Sequence, residues 1–267
     1  MIRYSLERII WTKRFWGVLF VLTVITSVDA IQHVVMASGQ SFTKIAWLST
    51  FMASSLVAAY IGHLLIAFTI GLFPVWILLG SGFALLNDFE SGQAYNVASR
   101  VGVAKFLRGH YIGAGISSVI LFAVPLLWNA LLIYILRLFP FTRWDGQAQM
   151  FQSAPKIPKY DFLLWQFRHP AATFWLYLAL FLLAAFLVGM LMISFSLILN
   201  RFYQVLTVTV LATVLLGSQI FNIGTLVQTF APLVLVRDWA NAWIDLLAIL
   251  AIFSLAIYFW RKRGELE

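Results

Sequence analysis

The residues best able to do chemistry lie close together, between Asp88 and Tyr111. Asp88, Glu90 and Gly92 come first; Ser99-Arg100, Lys105 and Arg108 follow, and Gly109-His110-Tyr111 closes the group. Charges of both signs in a polar, helix-forming segment suit ionic docking of a soluble partner. The competing reading is a solvated loop whose charges contribute little. Catalytic patterns are missing. His33, His63, His110 and His169 show no H-E-x-x-H or other metal spacing. No G-x-S-x-G elbow occurs, and no G-x-x-x-x-G-K-[ST] phosphate loop. The expectation is therefore a chain that is not itself an enzyme. With no cysteine, disulfides, Cys-ligated zinc and iron–sulfur clusters are excluded.

A second set of polar residues falls in or beside apolar runs. Asp29, His63 and Asp245 are candidates there because an ionisable group inside a membrane is costly and often functional. Asp29 stands one turn before His33 near the end of an apolar run, which reads as a wet helix end or as a proton or substrate contact. His63 reads as a side chain bonded to a neighbouring helix. Asp245 reads as a partner for Arg237 or for another helix. Trp16, Trp76, Trp128 and Trp175 either line an apolar substrate path between two subunits or face lipid.

The elements that must position these residues follow from composition. Charged residues are only 10% of the 267 and hydrophobic residues 62%, against about 25% charged in a soluble domain. So few charges cannot cover a water-exposed surface of this size. The chain reads as an all-α polytopic transmembrane bundle, one domain over 1–267, in the cell membrane of bacterial plasma-membrane type. Its net charge of +8 reads as positive-inside bias and lipid headgroup contact, not nucleic-acid binding.

Six spanning helices are expected. They cover about 15–35, a crossing that ends at Asn87, 112–136, 171–199, 205–222 and 242–260. Residues 45–63 are a re-entrant piece, an outer extension or a further span. Pro74, Gly71, Gly80 and Gly82 allow the second crossing to kink. Residues 2–13 form an interfacial amphipathic helix, with Tyr4 and Trp11 at headgroup depth. Arg3, Glu7, Arg8, Lys13 and Arg14 argue against a cleavable leader. Segment 88–111 is a cytoplasmic loop, 137–170 an extracytoplasmic one, and both termini are cytoplasmic. Gly113, Gly115, Ser117 and Ser118, with Gly189 and Ser194, read as packing devices between spans.

An amphipathic N-terminal helix, six spans and this loop resemble an ABC transporter permease of the type-two exporter class. Such families carry an acidic, Gly-containing signature after the second span, then a Ser-Arg element and a Gly-Lys-Tyr-like element. Asp88, Glu90 and Gly92, Ser99-Arg100 and Gly109-His110-Tyr111 match in order. The family's Pro before Ser-Arg is replaced by Val97-Ala98, and its Lys by His110. The resemblance implies that 88–111 is a coupling loop seated in a cytoplasmic ATP-binding-cassette ATPase. Its implied coupling residues are Asp88, Glu90, Gly92, Ser99, Arg100, Lys105 and Arg108. ATP and Mg would reside on that partner, with no cofactor in this chain, and a second permease copy would complete a homodimer or heterodimer. The implied function is export of an amphipathic substrate such as a peptide, lipid or drug-like compound. The alternatives are a secondary transporter or channel component, and a membrane assembly or sensor subunit that transports nothing.

Overall fold

The computed structural model describes residues 1–38, 69–136, 161–199, 201–217, 226–227 and 235–263. His63 and the whole of 45–63 lie outside the described residues, as does 137–160. All elements among the described residues are helical. They are α1 (Ile2–Ile10), α2 (Lys13–Ser38), α3 (Phe73–Ile77), α4 (Phe83–Glu90) and α5 (Gln93–Val101), followed by α6 (Val103–Leu136), α7 (Asp161–Arg168), α8 (Pro170–Ile198), α9 (Phe202–Gly217) and α10 (Val236–Arg263). Helices are what such apolar runs must form in lipid, where every backbone polar group needs a partner within its own segment.

Four helices are long and apolar enough to cross a membrane: Lys13–Gln32, Val103–Leu136, Ala172–Ile198 and Val236–Lys262. The chain thus has the character of an α-helical membrane protein. The 16 described residues of α9 are apolar and cover about 24 Å, and 218–225 lie outside the described residues. The helix that ends near Asn87 is continuous over 73–90 but changes its winding midway. Between α3 and α4 a π-helical turn covers Leu78–Gly82. Ser81 satisfies the altered backbone there, donating to Ile77 O at 3.0 Å and lying 3.0 Å from Ser118 Oγ.

Helix α6 has 34 residues and is about 51 Å long, so roughly 20 Å of it extends past the hydrocarbon core. The third crossing therefore belongs to a helix that begins at Val103, not near Ile112. On α6 pack α1, α2 and α8, and α8 in turn carries α10. Small residues permit the closest approach. A Cβ on Gly189 would lie 2.4 Å from Ser118 Oγ and 2.8 Å from Ala114 O. One on Gly115 would lie 2.5 Å from the Phe186 ring. In lipid, packing of this kind is a main driving force for helix association. Phe73, Phe122 and Phe181 fill the space beside it, with ring centroids 5.4 to 6.4 Å apart.

One end of the bundle gathers several chain segments. Met1 lies against Gly109, Tyr111 bonds Ser194 at 2.8 Å and faces Tyr258, and Arg261 donates to Leu197 O at 2.7 Å. Thus α1, the 88–111 segment, the α8–α9 connection and the end of α10 share that end. The opposite end is held by aromatic and polar contacts. Trp128 donates to Ser27 at 2.9 Å, Phe162 and Tyr177 pack on Trp239, and Thr173 donates to His169 O.

Candidate functional site

The 88–111 segment is a short helix held between two turns. Gly92 has φ 70° and Gly102 φ 85°. Both values lie where a Cβ is strained, so glycine is the residue that fits at each break. Between them, α5 buries Ala94 and Ala98 and turns its other face outward. Gln93, Tyr95, Asn96, Ser99 and Arg100 are exposed on it. Glu90, Lys105 and Arg108 are exposed on the flanking helices. Tyr95 is anchored edge-on to Phe89, with ring centroids 6.0 Å apart.

Beneath this platform is a polar cluster. Asp88 is 1% exposed and pairs with Arg8 of α1 through Oδ1. Its other oxygen lies 3.4 Å from His110 Nε2. That distance is within ion-pair reach, but no hydrogen bond forms at His110 Nε2. His110 Nδ1 lies 3.1 Å from Ser5 Oγ, also on α1. A glycine pair lets α1 come close enough for these contacts. A Cβ on Gly109 would stand 3.0 Å from Met1 Cβ, and one on Gly113 3.0 Å from Ser5 Cβ. Burial pushes the Asp88 carboxyl up to about 6, while the Arg8 guanidinium opposes the rise.

The residues expected to couple to an ATPase therefore divide. Glu90, Ser99, Arg100, Lys105 and Arg108 face outward, Gly92 shapes the turn, and Asp88 is an internal strut. The Arg8–Asp88 pair was not legible in the sequence, because neither the long separation nor the residue types point one to the other. The only available hint was the i, i+4 spacing of Gly109 and Gly113, which marks a face another helix can approach. The interfacial reading of 2–13 is modified likewise. Helix α1 ends at Ile10 and sets Ser5 and Ile9 against the protein, while Trp11 is 79% exposed.

Asp29 differs from a wet helix end. It is fully buried, and Asn129 Nδ2 approaches it at 3.5 Å while donating to Thr26 O at 2.6 Å. The cause is Asn129, an amide facing α2 from α6, which supplies the partner that water was expected to give. Asp245 is exposed and forms no ion pair with Arg237 among the described residues. The four tryptophans are not brought together. Trp16, Trp128 and Trp175 are exposed on α2, α6 and α8, and Trp76 is half-buried on α3. Among the described residues no group of three or more His, Cys, Asp or Glu could hold a metal ion.

No family model, curated protein or solved structure matches the chain.

Proposed function

We propose that the chain is the membrane subunit of an ATP-driven exporter, with α5 as its docking helix for a separate cytoplasmic ATPase. The observation that carries this reading is α5 itself. It is a discrete helix between two glycine breaks, with a polar face turned outward, and the helix before it, α4, is tied to α1 by the Arg8–Asp88 pair. A solvated connection would need neither that pair nor the buried Ala94 and Ala98. The reading includes six crossings, cytoplasmic termini and a second permease copy, and export of an amphipathic compound.

The test uses the exposed face of α5 alone. Arg100→Glu and Tyr95→Ala should leave the fold intact and lose a co-expressed ATPase on pull-down, together with substrate-stimulated ATP hydrolysis. A rim charge reversal of this kind acts mainly on association, and its effect should weaken at high salt. Normal ATPase retention and transport in both variants would remove the proposal.

One observation favours a second reading, ion-coupled transport without an ATPase. It is the buried Asp29–Asn129 contact within two crossings. On that reading Asp29→Asn abolishes transport driven by a proton gradient, whereas on the first it changes stability only.

A further inference from the structure

Near α5, the helices α2 and α4 and the start of α9 line an open groove of about 490 Å³. That lies within the roughly 300–1,000 Å³ of small-molecule sites. Its walls are hydrocarbon and aromatic: Val18, Leu79, Phe83, Leu86 and Phe202. Its polar groups are Arg14, Asn87 and Glu90. They are segregated, because Val18 is one helical turn further along α2 than Arg14, and Leu86 one turn back along α4 from Glu90. Charges therefore rim the groove and apolar side chains line the part reaching into the span.

Two features fit this groove to a zwitterionic, amphipathic ligand. Arg14 and Glu90 carry opposite charges on one rim, yet neither forms an ion pair among the described residues. Instead the Arg14 guanidinium lies 5.2 Å from the centre of the Phe83 ring, which in turn packs at 4.8 Å on Phe202. Gly17 also lines the groove, and a Cβ there would meet nothing within 4 Å. Gly17 is itself exposed, so the groove is open on that side, in a helix where alanine would be the better former.

We propose that this groove holds one membrane phospholipid of the phosphoethanolamine type. Its phosphate pairs with Arg14, its ammonium with Glu90, and one acyl chain lies against Val18, Leu79 and Leu86. A primary ammonium can donate to the Glu90 carboxylate and to the Asn87 carbonyl oxygen. A quaternary ammonium has no N–H to give. A purely anionic headgroup satisfies Arg14 and leaves Glu90 without a counter-charge. The proposal does not depend on the transport reading, since the lipid is bound and not necessarily moved.

Native mass spectrometry of the full chain in detergent tests it, with phosphatidylethanolamine, phosphatidylcholine and phosphatidylglycerol of equal chain length. One adduct should form with the ethanolamine lipid, about tenfold tighter than with the other two, as one charge-assisted contact allows. Gly17→Leu places a side chain in the groove and should abolish the adduct, as should Val18→Trp. Arg14→Gln should weaken it at least tenfold. Glu90→Gln should erase the preference for ethanolamine over choline. Equal uptake of the three lipids, an adduct unmoved by both filling variants, or tighter binding of phosphatidylglycerol would each overturn the proposal. Chain-free glycerophosphoethanolamine should not compete. If it does, the groove is a soluble-phosphate site and the lipid assignment falls.

Discussion

Asp88 sits between a cation that favours its charge and an interior that disfavours it. Because burial raises its pKa to about 6, well above the ordinary carboxylate range, the folded state holds that proton more tightly than the unfolded one. The resulting stabilisation is complete below about pH 4 and is lost as pH rises through about 6. The Asp88 contribution to thermal stability in detergent should therefore fall between about pH 4 and pH 6, and Asp88→Asn should remove that component of the slope. An equal slope in both proteins would deny Asp88 the titration. Arg8→Met leaves a buried carboxylate uncompensated and should destabilise by about 3 kcal/mol at pH 8. The double variant Arg8→Met/Asp88→Asn should recover much of that loss, and a double-mutant cycle of melting curves measures the coupling. At this scale the sequence was a partial guide. Glu90, Arg100, Lys105 and Arg108, charges of a polar segment in the sequence, are exposed in the structure. Asp88 was not separated from them, since its burial is decided by Arg8 on another helix.

Helices α6 and α8 illustrate how much rests on individual glycines. Gly189→Ala forces a Cβ to within 2.8 Å of backbone oxygen at Ala114, and backbone cannot step aside cheaply. It should cost about 1–3 kcal/mol as an overpacking change. Gly17→Ala meets open space and should instead stabilise by up to about 1 kcal/mol. Melting temperatures of the two variants should move in opposite directions, and a shared direction would contradict the packing described. The positions of the long helices were legible because an unbroken apolar run permits little else in lipid. The π turn at Leu78–Gly82 was foreshadowed only as a possible kink at Gly80 and Gly82. One inserted residue leaves a uniformly apolar pattern unchanged, so periodicity cannot reveal it.

Across the whole molecule, the shared end that joins α1, α5 and α10 should face one side of the membrane. The chain has no cysteine, so single cysteines report sidedness cleanly. Ser99→Cys and Lys262→Cys should react with an impermeant maleimide from the same side, and Asp161→Cys from the other. Labelling of all three from one side would rule out the crossing order. Composition alone made the membrane setting legible, whereas the number of crossings depends on α9 and on the α3–α4 passage with its π turn. The long α6 has a mechanical consequence. About two fifths of it stands clear of the hydrocarbon, and α1 is bound to that protruding part at Gly109 and Gly113. A stiff rod seated in this way behaves as a lever with its fulcrum at the membrane surface. A push on α5 would then tilt the far half of α6 through a comparable arc, and α1 would set how freely the handle swings.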